Sequence, residues 1–220
     1  MRSLVSRLHS SLIALALVAL GPIASAQTPA YTIDNVSTPS LLSNPPFTMG
    51  FAFNVQAPIT VYSLGIFDGD QDGLISSYEV GLFDPVGTLI ASVTVPSGNG
   101  AILVNQFRYV DLIAPVVLLP GNNYTLGALY LDGVDPVLFP GEAIGFVTHP
   151  SIQFVESRFA SGGTLAHPTS SISTLPGYLG PNMLLERGAG GGVVPEPGAV
   201  ALMISLGGAG LLALRRRVRK

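Results

Sequence analysis

The 220-residue chain contains no cysteine and no tryptophan, and its only lysine is Lys220. Without cysteine there is no disulfide, no thiolate nucleophile and no thiolate metal centre. The fold must then be held by its core, or by a cation bound through oxygen or imidazole. Cations are scarce through the middle of the chain. Between residues 27 and 197, only Arg108, Arg158 and Arg187 stand against all 13 acidic residues, a net charge of −10. No basic patch exists there for nucleic acid, and no lysine for a P-loop. Histidine is rare too. His149 and His167 each precede proline, and neither has a partner at metal-ligand spacing. A G-x-S-x-G elbow is also missing. The chain is therefore not expected to be an enzyme. A carboxylate pair drawn from Asp111, Glu142 and Glu156 is the one arrangement left for glycan hydrolysis, and the ordinary role of these acids is to solvate a surface.

Helical periodicity is the last absence: no stretch of 27–187 keeps an apolar helical repeat for three turns. What is there instead is short runs of Val, Ile, Phe, Tyr and Thr cut by Gly, Pro, Asn and Asp. Expected strands are Tyr31–Val36, Phe47–Val55, Thr60–Phe67, Tyr78–Phe83, Thr88–Val95, Phe107–Leu112, Val116–Leu119, Tyr124–Leu131, Ile144–Thr148, Ile152–Glu156 and Met183–Glu186. Asp84-Pro85-Val86-Gly87 has turn chemistry, so the fourth and fifth should form a hairpin. The fold class expected is all-β: a two-sheet antiparallel β-sandwich, jelly-roll or Greek-key in kind, over 27–187. Leu118-Leu119-Pro120-Gly121-Asn122-Asn123-Tyr124 has the spacing of a tyrosine corner, whose hydroxyl ties back to upstream backbone where the chain crosses between sheets.

One segment points to chemistry. Residues 68–79 read DGDQDGLISSYE and satisfy the twelve-residue calcium-loop pattern. Asp68, Asp70 and Asp72 fall at positions 1, 3 and 5, with Gly73 at the sharp turn. Leu74 would lend a carbonyl, Ser76 a hydroxyl and Glu79 two oxygens. Ca²⁺ wants such a crowd of hard oxygens, and a bound cation relieves the repulsion among three close carboxylates. A second reading stays open, because both flanks read as strands rather than helices. The loop is then a solvated turn rich in the residues turns prefer.

The flanks carry the topogenic signals. Arg2 and Arg7, the apolar run Leu12–Leu20 and Ala24-Ser25-Ala26 form a signal peptide over 1–26, with a mature start expected at Gln27. At the other side, Gly188–Val194 is a glycine-rich linker. Pro195-Glu196-Pro197 follows, then an uncharged stretch from Gly198 to Leu214, then Arg215, Arg216, Arg217, Arg219 and Lys220. The prolines keep the triplet extended. The apolar stretch spans about 25 Å as a helix, a short transmembrane segment, and the basic cluster marks the cytoplasmic side. Ser205, Ala209 and Ala213 make a small-residue stripe along it.

In its order of triplet, short helix and arginine-rich end, the segment 194–220 resembles the PEP-CTERM sorting signal of Gram-negative bacteria. The resemblance implies recognition and cleavage near the triplet by an integral-membrane exosortase, after export through the secretory translocon and signal peptidase. It implies a transient inner-membrane anchor and a final place at the cell surface or in an exopolysaccharide matrix. Residues 64–96 and 107–130, with Gly180-Pro181-Asn182, also resemble a β-sandwich module common in PEP-CTERM proteins, which implies a fold and a context rather than a reaction. Three roles follow in order: a non-enzymatic matrix or surface protein; a calcium-supported binder of carbohydrate or another surface ligand; a glycan-active hydrolase. The binder would expose aromatics such as Tyr31, Tyr62, Tyr130, Tyr178 and Phe139. The hydrolase would bring two carboxylates together.

Overall fold

The computed structural model describes residues 27–36 and 40–187. The expected signal peptide, linker, Pro-Glu-Pro triplet, transmembrane stretch and basic cluster lie outside these residues. Among the described residues there is no helix, and so none able to cross a membrane. The chain is all-β. Four short strands come first: β1 (Thr28–Pro29), β2 (Tyr31–Thr32), β3 (Asn35–Val36) and β4 (Ser40–Leu41). The long strands follow: β5 (Phe47–Val55), β6 (Ile59–Phe67), β7 (Tyr78–Phe83), β8 (Leu89–Val95), β9 (Ile102–Val104), β10 (Phe107–Leu118) and β11 (Gly121–Tyr130). After them come β12 (Pro136–Val137), β13 (Ala143–Ile144), β14 (Val147–Thr148), β15 (Ile152–Ser161), β16 (Ser170–Ser173) and β17 (Pro181–Arg187).

A five-stranded sheet has the order β1-β17-β6-β10-β9, and a six-stranded sheet the order β16-β15-β5-β11-β7-β8. All their pairings are antiparallel. Three two-stranded ladders zip β4, β3 and β2 onto β12, β13 and β14 in turn. The long strands agree in place with those expected, though β15 runs on from the expected Glu156 to Ser161, and three further differences stand out. The two strands expected over 107–119 are one, β10, broken by a bulge between Asp111 and Val116. Pro115 has no amide hydrogen to give the ladder, and a bulge is where a sheet tolerates it. The strands expected over 31–36 and 144–148 are each split in two, since they follow one another as an irregular ladder rather than a sheet. Beyond those expected, β1, β4, β9, β12 and β16 appear.

One core serves both sheets. Tyr31 sits edge-on to Phe51 of β5 (5.6 Å) and to Phe107 of β10 (5.3 Å), one ring from each sheet. Its hydroxyl donates to the Pro181 carbonyl at 3.0 Å, so a buried polar tip is satisfied. Around it Phe53, Ile59, Leu64, Ile66, Phe67, Val80, Leu126 and Leu185 are all buried. Burying each such side chain stabilises the fold by about 1.5–3 kcal/mol. The tyrosine corner forms: Tyr124 donates to the Leu119 carbonyl at 3.2 Å, where the chain passes from β10 to β11 and so between sheets. The hairpin forms too. Asp84 Oδ1 accepts from the amides of Val86 and Thr88, fixing the β7–β8 turn.

Strand β6 defines two ends of the domain. At one end Ile59 pairs with Leu118 on one side and Arg187 on the other. At the other end Phe67 pairs with Phe107, and the acidic loop begins. Nine strand residues separate these ends by roughly 30 Å. Because Thr28 pairs with Leu185, the chain enters the fold close to where β17 leaves it.

Candidate metal centre at the acidic loop

The loop that follows β6 is pinned at its root, where the Asp68 amide donates to the Gln106 carbonyl at 2.8 Å. Gln71 and Gly73 both take positive φ, 64° and 121°, which turns the chain back sharply. At Gly73 only glycine fits twice over. A Cβ there would be strained at that φ and would lie 2.9 Å from the carbonyl carbon of Gly98. The close approach allows a bridge in which Leu74 and Gly98 each donate to the other's carbonyl.

A buried cation holds this loop. Arg108, from β10, brings its Nε to Asp68 Oδ2 at 2.5 Å, and both side chains are about 95% buried. Nη1 donates to the Asn99 and Ala101 carbonyls, at 2.9 and 3.2 Å, and Nη2 to the Gln71 carbonyl at 3.0 Å. The planar fork thus ties the loop to the 96–101 segment, with carbonyls completing what the carboxylate begins. A buried charge pair of this kind repays its desolvation only because the remaining donors are used.

The carboxylates of Asp68, Asp70 and Asp72 lie together, each offering an oxygen within 4.8 Å of the others. Asp68 is buried and the other two are exposed. The Asp70 carboxylate raises the Asp72 pKa, with smaller contributions from partial desolvation, a hydrogen bond to Asp70 and the charge of Asp68, while Arg108 works the other way. This is the electrostatic strain that a hard cation removes.

The other three expected ligands make other contacts. The Leu74 carbonyl accepts from Gly98. Ser76 Oγ donates to Asp132 Oδ2 at 2.7 Å. Glu79 lies within β7, between buried Tyr78 and buried Val80, so strand alternation turns it outward to a groove with Ser92, Thr94 and Thr164. The structure thus gathers three carboxylates of the expected set, and the Glu79 carboxylate is not among them.

Next to the loop sits a second buried acid that the sequence did not mark. Asp135 accepts from the amides of Ile75 and Ser76 and from the Tyr78 hydroxyl, at 2.7–3.0 Å. Burial, followed by this bond, pushes the Tyr78 pKa far up. Nothing in local spacing could have paired Asp68 with Arg108, 40 residues on, or Asp135 with Ile75. The only hint was that one of three arginines in a strongly acidic region sits inside an apolar strand.

The three acids considered for hydrolysis each have a local bond on a different element. Asp111 on β10 accepts from Ser63 at 2.6 Å. Glu156 on β15 binds Ser171 and Arg158, which lower its pKa in that order. Glu142, ahead of β13, accepts from Ser40 and from the Phe139 amide. Of the aromatics considered for ligand stacking, Tyr31, Tyr130 and Tyr178 are buried and Tyr62 and Phe139 half-buried. Tyr31 and Tyr130 point inward from their strands, and Tyr178 is covered from a loop, edge-on to Phe139 at 5.4 Å. Neither a protein-family model nor a curated protein matches this chain.

Proposed function

We infer that this is an exported, non-enzymatic protein with a two-sheet sandwich domain, carried to the cell surface or an exopolysaccharide matrix by a PEP-CTERM-type sorting signal. The observation that carries the reading is the tail: Pro195-Glu196-Pro197, the uncharged stretch to Leu214, and five basic residues in order. Two features of the fold support it. The last described strand, β17, ends at Arg187, and the glycine-rich sequence 188–194 follows it directly, ahead of the triplet. The first strand, β1, starts at Thr28, just past the expected cut at Gln27. Removing either flank therefore takes none of the described strands. The chain's partners in this reading are the translocon, signal peptidase, an exosortase and the membrane, with exopolysaccharide at the destination.

The test is processing. Expressed in a host with an exosortase, the full chain should lose its tail and leave the inner membrane. In an exosortase-deleted host, or with Pro195→Ala and Pro197→Ala together, it should stay membrane-bound at full mass. Equal masses in all three strains would refute the sorting role.

A second reading, a Ca²⁺-supported binder of carbohydrate or another surface ligand, is favoured by one local arrangement. A groove beside the loop is lined by Asp70, Gln71, Gln106 and Asn35, amides and a carboxylate suited to hydroxyl groups. Asp68, Asp70 and Asp72 would hold the ion, which would supply charge neutralisation and loop rigidity. Ca²⁺ at about 100 times its dissociation constant should stabilise the fold by about 2.7 kcal/mol, and Asp70→Ala should abolish that gain in a thermal melt. No shift in the unsubstituted protein would remove this reading.

A further inference from the structure

The bulge in β10 is the most exposed apolar feature of the described residues. Between Asp111, paired with Ser63, and Val116, paired with Val61, four residues stand opposite Tyr62 alone. Leu112 packs partly against the core, whereas Ile113, Ala114 and Pro115 are exposed. Ile113 is fully exposed, and Val117 and Leu119 beyond it are each 62% exposed. Tyr62, half-buried, shares the outward face of β6 beside the bulge. Ile113, Ala114, Pro115, Val117, Leu119 and Tyr62 form one apolar strip that runs toward the end of the sheet.

The strip ends where the chain departs. Leu118 and Arg187 both pair with Ile59, so β17 releases the chain two strand spacings, about 10 Å, from Leu118. Ten residues then separate Arg187 from the uncharged stretch at Gly198. A glycine-rich segment of that length has a root-mean-square span of about 18 Å. Whatever holds 198–214 keeps this end of the domain within reach of it. The acidic loop lies at the opposite end of β6. A net charge of −10 over 27–197 gives no attraction to anionic lipid, so contact would have to be apolar.

We propose that Ile113–Pro115, with Val117 and Leu119, rests in the interfacial layer of the bilayer that holds the tail, so that the anchored domain stands with its acidic loop away from the membrane. Apolar side chains on a rigid protrusion, with a tyrosine beside them, match the chemistry of the headgroup–acyl boundary. The proposal rests on the reading of 198–214 as a membrane span, and the experiment separates the two.

Because the chain has no cysteine, Ile113→Cys and Gly100→Cys each give one labelling site in the full chain. Gly100 lies in the loop at the acidic end, with open space around it. Each variant, carrying an environment-sensitive fluorophore, is reconstituted into phosphatidylcholine vesicles with and without nitroxide-bearing lipid. The label at 113 should be quenched at least about twofold more than that at 100, and its emission should move to the blue. Equal quenching at the two sites, in vesicles that float with the protein, overturns the membrane contact and leaves the anchor standing. Failure of the unlabelled full chain to float removes the anchor itself. A label at 113 shielded from aqueous iodide, unquenched by lipid and shielded more at higher protein density would assign the strip to a second copy and overturn the lipid contact.

Discussion

At the acidic end of the domain, polar groups converge on two buried carboxylates: Arg108 on Asp68, and two amides with a tyrosine hydroxyl on Asp135. At the other end, where Ile59, Leu118 and Arg187 meet, the ladders run out into exposed Val117 and Leu119. The first end is shaped by charges that must be answered, because a buried ion left alone is far costlier than the pair is favourable. The second is shaped by backbone pairing, with side chains that water or a partner can cover at little cost. One end should therefore be fragile to single substitutions and the other tolerant.

Arg108→Ala tests the contrast most severely. It leaves Asp68 buried without its cation, and urea unfolding should show a loss of about 3–5 kcal/mol. A loss below about 1 kcal/mol would break the comparison. Asp135→Ala should follow. It strands the Ile75 and Ser76 amides and the Tyr78 hydroxyl, for a loss of about 2–3 kcal/mol, with faster hydrogen exchange at those two amides. Asp72 sharpens the picture by its sign. Its pKa is raised in the folded state, so the fold holds the proton more tightly than the unfolded chain does. Its contribution to stability falls as pH rises from the unfolded value through the raised one. Asp72→Asn should give a small rise in melting temperature at pH 7 without cation, and none at pH 3, where the acid is protonated in both states. A drop at pH 7 would mean that Asp72 is already paired. At the tolerant end, Val117→Ser should change the stability in solution by no more than about 0.5 kcal/mol.

These two ends also differ in how far the sequence revealed them. The long strands were legible because Gly, Pro, Asn and Asp punctuate them, and because Asp84-Pro85-Val86-Gly87 and the run from Leu118 to Tyr124 carry their own turn chemistry. Strand β10 read as two because Pro115 looked like a terminator, whereas the sheet bulges around it. The acidic loop was legible only in part. Asp68, Asp70 and Asp72 are close in sequence and remain close in space. Glu79 belonged to the same spacing, yet that spacing assumes a helix after the loop. Here a strand begins at Tyr78, and its two-residue period turns Glu79 to the outer face. Arg108 and Asp135 come from distant strands and loops, so no local pattern could announce them.

The register of β17 has a mechanical meaning. Seven residues of this strand pair with β6, and the chain leaves at Arg187, on the side opposite the acidic loop. A pull on the tail, resisted by anything gripping the loop end, acts along the strand axis. Such a load stretches all the rungs between β17 and β6 together instead of peeling them one after another. The pairing of β17 with β6 therefore resists a pull along the strand axis better than a pull across it.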